Sequence, residues 1–364
     1  MRQLGVHILY EYDVAYRPHA SSYIRLLRPI SYPALGPGVC SIHSLSYDQD
    51  DADAVIVDRL WRPDITPSLV DELVESVHRS GARLVWALDD NLVDMPSRVV
   101  QLEVGSVVWP SERHRESLRL LLGGADAVWV TTPNLRDRVV SENRNVSLLP
   151  NMLDERLLVK APEPRSGHAC SKRRLTIGYM GTPTHDADLM MVVPALQAVY
   201  GLFGDRLTLE IVGGIGKAET RESLRNLPVR YVGPAPAEHE YPYFMLWFTR
   251  TRHWDVAIAP LEDTAFNACK SDIKYLDYAA IGAAPVCSNV AAYADTVCHG
   301  ETGWLVENET SAWVEALRAL LSDADFRQRL STGATDYLYA RRILGVGIDK
   351  WSSALVSASG SERR

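Results

Sequence analysis

Short runs of consecutive apolar residues alternate along this chain with longer stretches whose apolar positions recur every three or four residues. Val6–Tyr10, Ala54–Val57, Leu84–Leu88, Ala127–Val130 and Val146–Leu149 predict strands, because unbroken apolar runs of this length fit strands covered on both faces. Between them, Ser21–Leu27 predicts a helix that stops near Pro29, and Ser68–Arg79 and Ser111–Leu122 predict two more. In Ser68–Arg79 the residues Leu69, Leu73, Val74 and Val77 share a face, and Gly81 supplies the stop.

Residues 161–174 break this rhythm with Pro, Gly, Ser and charge, and read as a linker. The alternation then restarts. Leu175–Met180, Leu207–Val212, Val229–Val232, Trp254–Ala259, Pro285–Ser288 and Thr302–Val306 predict strands. Asp188–Tyr200, Ser271–Ile281, Ser311–Leu321 and Asp325–Leu330 predict helices, and 336–355 is helical in character around Gly345 and Gly347. Strand–helix alternation of this kind implies mostly parallel, doubly wound sheets. The expected organisation is an N-terminal Rossmann-like domain at 1–160, the linker, a second Rossmann-like domain at 175–335, and a C-terminal helix at 336–364 returning to the first domain. In such sheets ligands bind outside the carboxyl ends of the strands, so function is expected in the loops that follow them.

With 364 residues, two domains are the natural expectation. A formal charge of −8 gives no global case for nucleic-acid binding. Five scattered cysteines without a CxxC spacing argue against a disulfide framework and a structural zinc site. The N-terminal apolar run is short and leads into Glu11 and Asp13, unlike a signal peptide. No stretch of about 18 apolar residues is read as a membrane span. A cytoplasmic protein is expected, with peripheral contact at the inner face of a membrane left open.

The stretch from Phe266 to Ser288 carries the most chemistry. Ser271 suits an N-cap and Asp272 a first turn, and a helix N-terminus attracts anions. Lys270, Lys274 and Asp277 recur at i, i+4 and i+7 and so are expected on one helix face. Two lysines there suit a diphosphate, and a carboxylate suits ribose hydroxyls. The plainer alternative is a surface helix with a Lys274–Asp277 ion pair worth only a few tenths of a kcal/mol.

Asp277, Gly282 and Pro285-Val286 resemble the donor-binding signature of GT-B glycosyltransferases close to family 4, the group-1 glycosyltransferases, with one extra residue between the Gly and the Pro. Gly178-Tyr179-Met180-Gly181-Thr182-Pro183-Thr184-His185 resembles the first strand and glycine loop of that family's C-terminal domain, and Leu209–Gly214 its second strand. Leu148–Asp154 resembles its hinge-proximal segment, and Gly300–Val306 the turn before a late strand. The resemblance covers about 148–335. It implies a GT-B fold, two Rossmann-like doubly wound domains facing each other across a cleft. It further implies transfer of a sugar from a nucleotide-diphosphate donor to a glycan or lipid-linked acceptor in cell-surface polysaccharide assembly.

Under that resemblance Gly181, Thr182, His185, Gly213, Lys270, Ser271, Lys274 and Asp277 bind the donor, Asp277 at the ribose. No metal and no cofactor beyond the nucleotide-sugar co-substrate is expected, and no nucleic-acid partner. Two positions depart from the pattern. Cys269 stands eight residues before Asp277, where retaining members usually have an acid. His185 and Asp186 stand where an Arg and a Lys are usual.

The candidate base is Asp90 or Asp89, just past a strand end, with Lys270 as a further catalytic candidate. Glu11, Tyr12, Arg59 and Arg62, with Trp61, follow the first two strands and suit an acceptor cleft. The helix around Arg113, Arg115 and Arg119 offers a surface for a membrane-bound acceptor, or packs on its own sheet. Two rival functions remain: a GT-B epimerase or hydrolase acting on the donor alone, and a non-catalytic GT-B partner subunit.

Overall fold

The computed structural model describes residues 3–12, 15–48, 51–101, 106–159 and 174–360, with side chains except at 98–101 and 106–109. The expected linker lies outside the described residues but for Arg174. Two compact units emerge. The first comprises 1–154, 269–271 and 344–364, and the second 155–268 and 272–343.

In the first unit the strands are β1 (Leu4–Leu9), β2 (Val39–Ser44), β3 (Ala54–Asp58), β4 (Arg83–Leu88), β5 (Arg98–Gln101), β6 (Ser106–Trp109), β7 (Ala127–Val130) and β8 (Val146–Leu148). Six of them form a parallel sheet ordered β2-β1-β3-β4-β7-β8, and β5 pairs with β6 antiparallel beside it. Every residue of β3 and β7 is buried, which is why these strands read as continuous apolar runs. The helix Pro67–Ser80 starts where Thr66 Oγ1 accepts from Leu69 N at 3.1 Å, and ends at Gly81 with φ +83°. Its fully buried face is Val70, Leu73 and Val77, with Leu69 and Val74 half-buried at its margin. The helix Glu112–Gly124 buries Leu118, Leu121 and Leu122 in the same core, while Arg115 and Arg119 bond to Ser97 and Glu112. Its buried leucines therefore pack in the core of the first unit.

The last helix, Leu344–Ala358, packs in the first unit, with Trp351 edge-on to Trp129 at 6.1 Å. A Cβ on Gly347 would stand 2.0 Å from Met152 Sδ, so this helical glycine permits the close approach. The single helical stretch expected over 336–355 is two helices, Ala324–Arg341 and Leu344–Ala358, parted where Leu344 N donates to Leu153 O at 2.9 Å.

The second unit holds β9 (Leu175–Gly181), β10 (Leu207–Gly213), β11 (Val229–Val232), β12 (Val256–Ala259), β13 (Ala284–Ser288) and β14 (Trp304–Val306). They form one parallel sheet ordered β11-β10-β9-β12-β13-β14. Strand order reverses between β9 and β12 here, and between β1 and β3 in the first unit. Those reversals leave the crevices in which doubly wound sheets bind ligands.

The helix Asp186–Phe203 and its flanking turns, Pro183–Arg206, are long and apolar enough to cross a membrane by length and composition, contrary to the reading that no such stretch exists. Its residues Leu189, Val192, Val193, Leu196 and Val199 lie in the core of the second unit with Trp313 and Leu317. That burial accounts for its apolarity.

Candidate active site

At the reversal of the first sheet, the loop after β1 supplies Glu11, the loop after β3 Arg59, and the loop after β4 Asp89 and Asp90. Arg59 is the hub. Its backbone is left-handed, φ +47°, held where its N donates to Ala87 O at 2.9 Å and its O accepts from Trp86 Nε1 at 2.8 Å. A non-glycine residue there is strained, and such strain gathers at functional sites. The guanidinium bonds Glu11 and Asp89 and reaches Asp90 Oδ2 at 3.7 Å.

Burial alone would raise Asp89, but Arg59 and the Ser21 hydroxyl outweigh it and hold the carboxyl down at about 2. Asp89 is thus held as the counter-ion of Arg59. Asp90 is the more exposed of the two, and its Oδ1 meets Lys270 Nζ at 3.2 Å.

Beneath them lies Asp58, which the sequence reading missed. Its Oδ2 accepts from Ser22 Oγ and from Glu11 N at 3.4 Å, while its buried Oδ1 has no hydrogen-bond partner among the described residues. Burial and the neighbouring Glu11 push this carboxyl up to about 7, against the pull of Ser22 and Arg59. Tyr12 rings with Tyr16 at 5.7 Å, and Arg62 forks onto Asp64 at 2.7 and 2.9 Å.

Residues 269–271 group with this first unit. Thr132 Oγ1 donates to Cys269 O at 2.9 Å, the Cys269 side chain joins the apolar core there, and Asn151 Nδ2 donates to Ser271 Oγ at 2.8 Å. The following helix is Ile273–Ala280. Lys270 and Ser271 therefore precede it and do not share its face with Lys274 and Asp277, as the i, i+4, i+7 spacing suggested. Nor does Ser271 cap it. Asp272 takes that place, and its carboxylate accepts a fork from Arg342 at 2.6 and 2.7 Å and a bond from Thr296 at 2.7 Å.

At the reversal of the second sheet, Gly181 and Gly213 are neighbours across β9 and β10. Gly213 has φ +100°, and a Cβ on it would stand 2.0 Å from Gly181 O, so only glycine fits. Thr182 follows, its hydroxyl 2.7 Å from that of Thr184. His185 Nδ1 bonds Asp188 Oδ2 at 2.7 Å, and Asp188 Oδ1 accepts from Glu262 N at 2.8 Å, which ties the loop after β9 to the loop after β12. Asp186 turns the other way and accepts from Gly216 N, Lys217 N and Thr220 Oγ1.

Lys274 Nζ lies 5.3 Å from the centre of the Tyr179 ring. Asp277, one turn on, is 5% exposed and its Oδ1 has no hydrogen-bond partner among the described residues. Burial pushes it up to about 8, with Lys274 limiting the rise. This helix is no surface helix, since Tyr275 through Ala280 are all buried. Tyr278 fixes its height on the sheet, donating to Ile258 O at 3.0 Å and accepting from Met180 N at 3.1 Å. Tyr179 meets Lys274, Asp188 meets Glu262 and Tyr278 meets Met180 only in three dimensions, since these partners stand far apart in the chain. Among the described residues no group of three or more His, Cys, Asp or Glu side chains is placed to hold a metal ion.

Residues 174–323 match the family model described as Glycosyl transferases group 1. No curated protein matches the sequence. Among solved structures, sucrose-phosphate synthase from Thermosynechococcus elongatus is similar at a TM-score of 0.66 with 14% identity, over 99% of this chain and 100% of that one. HepE from Anabaena, in complex with UDP and glucose, gives 0.64 with 12% identity, over 98% and 100%. TarM from S. aureus, in complex with UDP and glycan ligands, gives 0.58 with 12% identity, over 84% of this chain and 56% of that one, so the chain spans little more than half of TarM. The likenesses establish the fold as GT-B. The second unit is similar over 174–323 to the group-1 glycosyltransferase family.

Proposed function

We propose that this protein is a glycosyltransferase, which binds a nucleotide-diphosphate sugar in its second unit and transfers the sugar to a hydroxyl of a saccharide acceptor. The observation that carries the donor assignment is Asp277, whose buried Oδ1 has no hydrogen-bond partner among the described residues, one turn past Lys274 at the Tyr179 ring. Leaving such an oxygen unmet costs about 1–3 kcal/mol, and two ribose hydroxyls would satisfy it. Lys274, and backbone amides at Gly181 and Thr182, suit the diphosphate. UDP is the first nucleotide to test, because HepE and TarM hold it.

On the first unit, Asp90 is the carboxylate suited to take the acceptor proton, with Lys270 Nζ at 3.2 Å and Arg59 at 3.7 Å; Glu11, Tyr12 and Arg62 suit the acceptor side. Asp90→Asn is expected to lower kcat by about 10²-fold or more with little effect on UDP affinity. An unchanged kcat would remove this assignment. We further propose that no divalent metal is required, and that the protein works in the cytoplasm on cell-surface glycan precursors.

One observation favours a non-catalytic partner subunit instead: Cys269, at the place of the usual acid, is buried in an apolar cluster. A thermal-shift titration with UDP, GDP, dTDP, CMP and ADP, each with and without Mg²⁺, tests the donor site, since a ligand at a hundredfold excess over Kd adds about 2.7 kcal/mol to stability. A metal-independent shift with one diphosphate is expected. No shift with any of them would overturn the donor assignment. Binding without turnover of UDP-sugars across an acceptor panel would favour the partner subunit.

A further inference from the structure

We infer that Arg342 is a positioning residue of the donor site: it holds and neutralises the acid at the start of the helix that carries Lys274 and Asp277, which leaves that end receptive to an anion. The inference rests on the second unit being the donor site, and every group it uses lies in that unit.

A helix N-terminus presents N–H groups without intrahelical partners, and an Asp at the N-cap ordinarily accepts a bond from one of them. Asp272 stands at the N-cap of Ile273–Ala280, but its side chain makes no cap bond. The carboxylate is engaged elsewhere. Its Oδ1 accepts from Arg342 Nη2 at 2.7 Å, and its Oδ2 from Arg342 Nη1 at 2.6 Å and from Thr296 Oγ1 at 2.7 Å. The two side chains of the pair are only 11% and 7% exposed, so salt screens the pair weakly. Burial alone would lower Arg342, but Asp272 and Tyr337 outweigh it and raise it. The acid at the helix start is thus matched by one fixed cation. Left unmatched, it would oppose any anion arriving at the positive end of the helix.

The same neighbour grips the other end of this helix without charge. Arg342 follows the helix Ala324–Arg341, whose Thr335 Oγ1 donates to Ala279 O at 3.0 Å and whose Ser331 Oγ donates to Gly282 O at 2.7 Å. Between the ends, Tyr337 meets the Tyr275 ring at 6.0 Å. A bond at the C-terminal end secures the helix alone, whereas the Arg342 fork also sets the charge at the N-terminal end. Asp277, on the gripped helix, is 5% exposed, with Oδ1 unpartnered among the described residues, so a ligand is expected against this helix.

The test is calorimetric titration of UDP, GDP and dTDP at low and high NaCl, with urea unfolding beside it. The proteins are wild type, Arg342→Gln, Asp272→Asn, the double variant and Thr335→Ala. Arg342→Gln strands the acid and should weaken the nucleotide that binds wild type by about threefold to tenfold, a loss that shrinks in added NaCl. Asp272→Asn strands the cation and should bind as tightly as wild type or up to about threefold more tightly. The double variant should return to within about twofold of wild type. Thr335→Ala should lose stability and keep its affinity. A purely structural pair would lower stability in both single variants and move affinity in neither, and that result overturns the inference. So does a double variant no better than Arg342→Gln, an equal loss of affinity in Thr335→Ala, or weaker binding by Asp272→Asn. If Arg342→Gln does not fold, Asp272→Asn and the double variant decide by the same criteria. No binding of any of the three nucleotides by wild type defeats the donor site itself, whereas wild-type binding with unmoved affinity in Arg342→Gln defeats the Arg342 role alone.

Discussion

The two sheets reverse strand order in the same way and arm the reversal differently. In the first unit the crevice is filled with charge: Arg59 serves Glu11, Asp89 and Asp90, and Asp58 lies buried beneath them. In the second unit Gly181 and Gly213 pair at the ends of β9 and β10, Asp188 ties the loops after β9 and β12, and Asp277 Oδ1 is unmet among the described residues. The first crevice has satisfied most of its own electrostatics, and the second leaves its electrostatics for a ligand. A pair of neighbouring acids makes the point within the first unit alone. Asp89 and Asp58 are both buried, yet one sits at about 2 and the other at about 7, because Arg59 and Ser21 serve the first while Glu11 crowds the second.

The largest expected break in this comparison is Arg59→Ala. It strands Glu11 and Asp89 in a buried site, and removing one partner of a buried pair costs about 3–5 kcal/mol. Urea unfolding should show that loss, with Arg59→Lys intermediate because a single ammonium cannot replace the fork. A loss below about 1 kcal/mol would mean the cluster is not the electrostatic hub described. Next comes Gly213→Ala, where a left-handed backbone and the clash with Gly181 O should cost about 2 kcal/mol and abolish UDP binding. Retained affinity in a folded variant would separate the glycine bracket from the donor site.

The third effect is read as a slope, at most about 1.4 kcal/mol per pH unit. Asp277 is raised in the folded chain to about 8, against about 3.9 unfolded. Between those values the unfolded chain binds fewer protons, so stability falls as pH rises from about 4 to about 8. Asp277→Asn should flatten that fall, leaving the part due to Asp58. Asp89 acts in the opposite sense: its contribution is present above about 4 and is lost as pH falls toward 2. Equal slopes in wild type and Asp277→Asn would contradict the buried, unmet carboxylate.

Much of this was legible in the chain. The buried parallel strands announced themselves as apolar runs, and the order of Gly181, Gly213, Asp277, Gly282 and Pro285-Val286 carried the family resemblance. The edge strand β2 gave no such signal, because its residues Cys40 to His43 are exposed and need not be apolar. The helices Pro133–Val139 and Tyr241–Thr251 also went unread. At the sites, what escaped was pairing over distance: Ser22 with Asp58, Asp188 with Glu262, and Asp272 with Arg342, 36, 74 and 70 residues apart. Local spacing even misled at Lys270, which i, i+4 arithmetic put on a helix that begins three residues later.

The most direct test of the donor site is calorimetric titration of UDP between pH 7 and 9 in two buffers of different ionisation enthalpy, on wild type and Asp277→Asn. If ribose hydroxyls bond to ionised Asp277, binding must pull a proton off it. Wild type should release a proton at pH 7 and bind up to about tenfold more weakly there than at pH 9, relative to Asp277→Asn. Equal proton release and equal affinity in the two proteins would contradict the claim that Asp277 holds the donor ribose.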